Sequence, residues 1–216
     1  MKDLQKTRKL VKTSFFIAVV TIAAVLAFPR ELTGKEWQIY MNSYLITTMG
    51  LTVGGAAIGI FFGMALAFFK FQKTNNEIVN MIKDVVIDEY VDIMRGTPMV
   101  LQLLILSVVI AVFDNYWVAV IALGMNSAAY VEETVRSGIE SIDKGQMEAA
   151  RATGMPYRMA MNEIIMPQAV KNILPALVNE FINLFKETSI VGYISVVDIT
   201  MNSKSLQAVY YSVKPI

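Results

Sequence analysis

The sequence predicts an all-α membrane protein, a polytopic bundle of helices. Of its 216 residues, 55% are hydrophobic and only 17% are charged, against roughly 25% charged in an average soluble domain. Apolar runs close to the ~20 residues that cross a bilayer as a helix also recur along the chain. The net charge is +1 and the basic residues are dispersed, so we predict no nucleic-acid partner.

The chain lacks the side chains that most enzymes use. It has no cysteine and no histidine, which excludes disulfides, thiol catalysis and cysteine metal sites, together with the commonest general base and zinc ligand. No GxxxxGK[ST] phosphate-binding loop is present. We therefore predict no catalytic residue, no metal site and no cofactor bound by this chain.

The first apolar run, residues 13–29, follows five basic residues. Residues 1–40 are predicted to form a basic segment and a transmembrane helix, and the excess of positive charge predicts a cytoplasmic N-terminus. A cleaved signal peptide is the alternative, although no small-x-small cleavage site follows.

The second run, residues 45–69, is uncharged and is followed by Lys70 and Lys73, so we predict that it crosses inward. Small residues recur in it every four positions, which places them on one helix face where another helix can approach closely: Gly55, Gly59, Gly63 and Ala67. The alternative is that glycine is simply common in membrane helices.

The motif RGTP, residues 95–98, separates an acidic stretch from the third apolar run, residues 99–113. Proline removes a backbone donor and disfavours helix at Thr97, so we predict a break here. Such a break is tolerated at membrane depth only where protein buries it or a water-filled cavity faces it. The run itself is predicted to cross outward.

The fourth and fifth runs carry polar residues. The fourth begins near Tyr116, is predicted to cross inward, and contains Asn126, Ser127, Glu132, Glu133 and Arg136. The fifth, residues 173–199, carries a stripe spaced by four, Asn179, Asn183 and Glu187, flanked by Glu180 and Lys186. Ionisable groups within a span indicate a pathway or internal pairing. Ordinary interfacial helix ends and a partly immersed helix are the alternatives.

A polar segment, residues 137–171, lies between these two runs. We predict a short helix over residues 146–152, capped by Asp143 and ended by Gly154 and Pro156. A second helix over residues 157–165, before Pro167, would complete an elbow. On the first helix Ala149, Ala150 and Ala152 leave room for a partner, with Glu148 and Arg151 at the rim. A solvated loop helix is the alternative.

The spacing in this segment resembles a known signature. Glu148-Ala149-Ala150, three residues, Gly154, nine residues, Ile164, one residue and then Met166-Pro167 resembles the EAA-x3-G-x9-I-x-L-P motif of ATP-binding-cassette importer permeases. Met166 replaces the usual leucine, an exchange that conserves volume.

Three further motifs resemble the polar amino-acid branch of that family, and the resemblance runs from about residue 45 to the end. They are RGTPMVLQL (residues 95–103), NSAAYVEETVR (residues 126–136) and NEFINLFKETSI (residues 179–190). In the second motif either Glu132 or Glu133 corresponds to the family's glutamate. Compared with the family, residues 1–40 add a helix, and the family's last inward helix is expected to be missing after Ile216.

The resemblance implies a type I importer permease of the bacterial inner membrane, with residues 41–216 as its transmembrane domain and residues 137–171 as a cytoplasmic coupling loop. The implied partners are a cytoplasmic ATPase dimer that uses the ATP and Mg²⁺, a second permease subunit, an extracytoplasmic amino-acid-binding protein and membrane lipid. The residues implied for coupling to the ATPase are Gly145, Glu148, Ala149, Ala150, Arg151, Gly154 and Pro167.

The polar residues within the spans are assigned to two roles. Those expected to line the substrate path are Thr97, Gln102, Asn126, Ser127, Asn179, Asn183 and Glu187. Arg95, Glu132 and Lys186 are expected in structural ion pairs, with Glu132 or Glu187 as the partner of Arg95, because a translocation path needs transient contacts and not a bidentate clamp. A self-sufficient carrier, an intramembrane enzyme using Glu132 and Glu187, and a membrane scaffold are the rival interpretations.

Overall fold

The computed structural model describes residues 11–21, 34–72 and 74–210. Within those ranges every regular element is helical, which confirms the all-α prediction. The α-helices are α1 (Val11–Thr21), α2 (Gly34–Asn42), α3 (Met49–Phe71), α4 (Glu77–Gly96), α5 (Met99–Val109), α6 (Asn115–Glu140), α7 (Lys144–Ala152), α8 (Tyr157–Ala160), α9 (Met166–Glu187) and α10 (Ile199–Tyr210). Two π-helical turns, Ser43–Thr48 and Met161–Ile165, and a 3-10 helix, Thr188–Ile194, join some of them.

Helices α2 and α3 form one run with the π-helical turn between them, Gly34–Phe71, of 38 residues. This run starts earlier than the predicted segment, residues 45–69, and is long and apolar enough to cross a bilayer on its own. Among the described helices, the pair α4 and α5 meets the same criterion only if it is counted as one bent span. The predicted N-terminal run, residues 13–29, overlaps α1, but its part from residue 22 lies outside the described residues.

The centre of the fold is the contact between α3 and α6. The predicted small residues Gly55, Gly59, Gly63 and Ala67 are all buried on one face of α3. A Cβ at Gly59 would lie 2.5 Å from the Ser127 hydroxyl oxygen, so the two backbones approach as closely as glycine permits. The prediction of a close helix contact along this face is therefore confirmed.

The chain breaks at RGTP as predicted. Helix α4 ends at Gly96, α5 starts at Met99, and the two are bent by 111°. Helix α5 ends at Val109, earlier than the predicted residue 113, and its 11 residues span only about 17 Å. It is too short to cross a hydrocarbon core of roughly 30 Å alone, so the predicted span over residues 99–113 was wrong in extent.

The predicted fifth span, residues 173–199, is also corrected. Helix α9 begins at Met166 and stops at Glu187, where the chain tightens into the 3-10 helix. The hydroxyl groups of Thr188 and Ser189 donate to the carbonyl oxygens of Phe185 and Lys186, three residues back, and such bonds favour a tighter turn. Helix α10 then folds back against the turn Ser43–Thr48, where Asn202 Nδ2 donates to Ser43 Oγ at 3.1 Å.

Candidate functional site

The polar segment between α6 and α9 forms the predicted elbow. Asp143 caps α7, since its carboxylate accepts a hydrogen bond from the Gly145 amide at 2.6 Å. The helix ends at Ala152, and Gly154 has φ +88°, a conformation that glycine adopts without steric cost. Pro156 then caps α8. The chain therefore reverses direction where the sequence predicts it.

The two alanines of the motif differ in exposure, because consecutive residues lie on different sides of a helix. Ala149 is exposed, whereas Ala150 is only 4% exposed and lies on the side of α7 that packs on α8 and the π-helical turn. The expectation that both alanines leave room for a partner was therefore wrong for Ala150. Gly145, Glu148 and Ala152 are exposed beside Ala149, and together these four residues make the outer face of α7.

Arg151 closes the elbow. Its Nη1 donates to the carbonyl oxygen of Met155 at 2.8 Å, across the turn that contains Gly154. The guanidinium thus ties the end of α7 to the turn that precedes α8, a contact that the sequence did not predict.

Pro167 does not end a helix. The prediction of a separate helix over residues 157–165 was wrong, because α8, the π-helical turn and α9 run on without interruption from Tyr157 to Glu187. Proline has no amide hydrogen and its ring crowds the preceding turn, and here that turn is widened into the π form, Met161–Ile165. As a result, the second arm of the elbow is continuous with α9.

Three predicted path residues form one hydrogen-bonded network at the break. Gln102 Nε2 donates to Thr97 Oγ1 at 2.7 Å and to the carbonyl oxygen of Met94 at 2.8 Å, while its Oε1 accepts from Asn126 Nδ2 at 3.0 Å. Asn126 is 3% exposed. The network provides donors for the carbonyl oxygens at the interrupted backbone and joins the end of α4 to α5 and α6.

An apolar cavity of about 260 Å³ adjoins the network. It is lined by Ile93, Met94, Thr97, Leu101, Gln102, Ile105, Leu106, Ala122 and Met125. Because the amide group of Gln102 is already hydrogen-bonded to protein atoms on both its oxygen and its nitrogen, the cavity presents a mostly apolar wall.

The remaining predicted path residues lie on α6 and α9. Ser127 is buried beneath Gly59 at the contact between α3 and α6. On α9, Asn179 and Asn183 are exposed and Glu187 is half-buried. At a spacing of four residues these three share one side of the helix, and in the single chain this side is open.

Arg95 pairs with a different glutamate from the two predicted. Its Nη1 lies 3.1 Å from Glu133 Oε2, and its guanidinium lies over the Tyr130 ring, 5.5 Å from the ring centroid. Arg95 pairs with Glu133 because this glutamate faces the end of α4, whereas the neighbouring Glu132 is buried. Lys186 is exposed and forms no ion pair within the described part of the chain.

Two contacts of α4 were not predicted from the sequence. Tyr90 donates its hydroxyl hydrogen to the carbonyl oxygen of Met125 at 2.6 Å, and Lys70 pairs with Asp88. Each contact joins α4 to another helix, to α6 through Tyr90 and to α3 through Asp88, and no motif or periodicity in the sequence predicts it.

We expect the hydrogen-bonded network at the break to stabilise the fold. Replacing Gln102 with alanine is expected to leave the Asn126 amide and the Met94 carbonyl without this partner, at about 1–3 kcal/mol, and to lower the unfolding temperature by roughly 5 °C. Thermal unfolding of the purified protein, followed by tryptophan fluorescence, measures the shift. Gln38→Ala removes an exposed glutamine and serves as the control; equal unfolding temperatures for both variants would contradict the structural role of the network.

Comparison with known proteins gives consistent matches. A family model described as a binding-protein-dependent transport system inner membrane component matches residues 59–208. The chain is 41% identical over 173 residues to the arginine transport system permease protein ArtQ of Bacillus subtilis (strain 168), covering 78% of this chain and 76% of that protein. It is 35% identical over 172 residues to the putative glutamine transport system permease protein GlnP of Rickettsia prowazekii (strain Madrid E), covering 77% and 76%.

Two solved structures of ABC transporters are also similar to this chain. A crystal structure of an amino acid ABC transporter with histidines matches with a TM-score of 0.73 and 36% identity over 84% of each chain. An inward-facing conformation of the MetNI methionine ABC transporter matches with a TM-score of 0.67 over 85% of this chain and 87% of that chain. At 16% identity the second likeness shows a shared fold.

Proposed function

Because the chain belongs to the family of inner-membrane components of binding-protein-dependent transport systems, we propose that it is the permease subunit of an ATP-binding-cassette importer for polar amino acids. Proteins of this family are multi-pass membrane proteins, and a separate ATPase hydrolyses the ATP. The amino-acid class is supported by the similar permeases, which are named for arginine and glutamine transport, and by the amino acid transporter among the solved structures.

The outer face of α7 is the proposed docking point for the ATPase. Gly145, Ala149 and Ala152 present almost no side-chain bulk there, and Glu148 adds a single charge. Such a face fits a groove on a partner. Gly154 supplies the reversal of the chain, and the continuous helix from Tyr157 to Glu187 offers a stiff connection through Pro167 to the membrane domain. This geometry is the observation that carries the proposed function.

The substrate path is proposed along α9. Exposed asparagines on a membrane helix are costly if they face lipid, so Asn179 and Asn183 are best explained by a second permease subunit that encloses this side of the helix. Glu187 extends the same stripe. Ser127 and the network of Thr97, Gln102 and Asn126 then support the wall of the path from behind.

The topology follows from the same proposal. The basic residues before residue 13 and the elbow are assigned to the cytoplasmic side. The predicted boundary between residues 1–40 and the transmembrane domain of residues 41–216 falls within the continuous run Gly34–Phe71, so this whole run is assigned to the transmembrane domain. ATP and Mg²⁺ are bound by the ATPase dimer, so this chain needs no cofactor of its own. An extracytoplasmic binding protein delivers the amino acid to the opposite side.

Uptake by reconstituted vesicles tests the proposal. Vesicles that contain the permease, its ATPase and its binding protein should accumulate a radiolabelled polar amino acid only with ATP on the ATPase side. Asn183→Leu is expected to reduce this uptake at least about tenfold while the complex still assembles, and Asn75→Leu, at an exposed position of the loop between α3 and α4, is the matched control. Equal uptake without the ATPase would show a self-sufficient carrier and overturn the proposal.

A further inference from the structure

A buried carboxylate in the second half of α6 has no hydrogen bond. Glu132 is 0% exposed, and neither of its oxygens accepts a hydrogen bond from a described residue. The two nearest cationic atoms are Lys70 Nζ at 4.0 Å and Arg136 Nε at 3.9 Å, the outer limit of an ion pair. A buried charge without close partners costs free energy, so another arrangement of these groups competes with this one.

Both cations are held by other carboxylates. Lys70 pairs with Asp88 on α4, and Arg136 pairs with Glu133 and Glu140 on its own helix. An ammonium group on a flexible four-carbon stem changes partners easily. Lys70, at the end of α3, therefore has two acceptors within reach on two different helices.

The two carboxylates, Asp88 and Glu132, differ in how well water can solvate them when Lys70 is not paired with them. The side chain of Asp88 is 53% exposed, so water solvates it once it is unpaired, and an exposed ion pair is worth little. Glu132 is shielded from water and gains much more from a partner. This difference in burial favours the move of Lys70 to Glu132, whereas the closer contact favours Asp88.

If Lys70 exchanges Asp88 for Glu132, the contacts that attach α4 to the rest of the bundle change. Helices α3 and α6 are fixed together by the glycine face, whereas the first half of α4 is attached to the end of α3 by Lys70–Asp88 and by Lys83, whose Nζ donates to the Gln72 carbonyl oxygen. From Ile87 onward α4 packs on Ala129 of α6. Without the Lys70–Asp88 pair, the part of α4 before Ile87 keeps the Lys83 contact and the hydrogen bond from Asn80 to the Thr74 carbonyl oxygen, so it can tilt about Ile87.

We propose that Glu132 is a positioning residue in the transport cycle. It is the alternative acceptor for Lys70, and movement of Lys70 from Asp88 to Glu132 releases the first half of α4. The clamped state has Lys70 on Asp88, and the released state has Lys70 on Glu132. The proposal goes beyond the proposed function, since it concerns a movement that is measurable without transport.

Two substitutions should move the equilibrium in opposite directions. Asp88→Asn weakens the clamp and favours the released state, whereas Glu132→Gln removes the alternative acceptor and favours the clamped state, each by up to about fivefold. Spin labels on Val85→Cys in α4 and Ser137→Cys in α6 report the distance by electron–electron resonance in nanodiscs with the ATPase bound. Because the permease has no cysteine, it is labelled only at these sites.

The expected result is a longer distance for Asp88→Asn and a shorter one for Glu132→Gln, with slower uptake by the latter. Glu140→Gln, which also removes a partner of Arg136, should leave the distance unchanged. A shift in the same direction for both variants, no shift in either, or an equal shift for Glu140→Gln would overturn the proposal.

The unfolding temperature of Glu132→Gln distinguishes a positioning role of Glu132 from a structural role. The carboxylate of Glu132 makes no hydrogen bond in the clamped state, so Glu132→Gln should unfold at the same temperature as the parent protein or higher. A lower unfolding temperature, or normal uptake despite a shifted distance, would also overturn the proposal. Failure of uptake in the unsubstituted complex would instead count against the proposed function and leave the distance measurement valid.

Discussion

Replacing Ala149 with tryptophan is expected to abolish assembly with the ATPase while the permease still folds and inserts. Ala149 lies in the middle of the outer face of α7, where its neighbours one turn before and after, Gly145 and Ala152, are small. An indole ring there would fill the space that a partner groove needs, and we expect binding to weaken at least about 100-fold, as for loss of a central contact in an interface. Co-purification with the ATPase and uptake by vesicles measure the effect.

Two matched variants test this interpretation. Ala111→Trp adds the same bulk at an exposed alanine in the turn between α5 and α6, at the opposite end of α6 from the elbow, and should assemble normally. Ala150→Trp places the ring on the buried side of α7, so we expect a misfolded elbow and loss of monodisperse protein. If Ala149→Trp co-purifies and supports uptake like the parent protein, α7 is not the docking element.

A single methyl group at Gly63 is expected to disturb the packing of α3 against α6. A Cβ there would lie 2.6 Å from the carbonyl oxygen of Ala128 and 2.6 Å from Cβ of Val131. Neither atom belongs to a flexible side-chain end, so Gly63→Ala must push the helices apart, at about 1–3 kcal/mol or more. The yield of monodisperse protein and its unfolding temperature should both fall.

Gly34→Ala provides the comparison. No atom lies within 4 Å of a Cβ at Gly34, and alanine is the better helix former, so this variant should be at least as stable as the parent protein. An unchanged unfolding temperature for Gly63→Ala would mean that the close approach of α3 and α6 is not needed for the fold.

Features set by neighbouring residues were predictable from the sequence. The cap at Asp143, the reversal at Gly154 and the break at Pro98 depend on backbone chemistry within a few residues. The glycine face of α3 follows from a spacing of four residues, which the helix repeat converts into one surface. These predictions hold because the cause and its effect lie within a few turns of the same segment.

Features that depend on two distant segments were not predictable in the same way. Arg95 pairs with Glu133 and not with Glu132 because the rotation of α6 decides which of two adjacent glutamates faces α4. Ala150 is buried because α7 packs on the second arm of the elbow. Pro167 lies within a continuous helix because the preceding turn widens, a response that its residue type alone does not specify.

The sequence by itself therefore determined where the helices break and turn, which faces are small or polar, and the family motif around Glu148. The tertiary structure alone decided which side chains meet: Gln102 with Asn126, Arg95 with Glu133, and Lys70 with Asp88 while Glu132 accepts no hydrogen bond from a described residue. The physical reason is that local backbone chemistry acts over one or two turns. Contacts between helices depend on their relative rotation and distance, which the packing of the whole bundle sets.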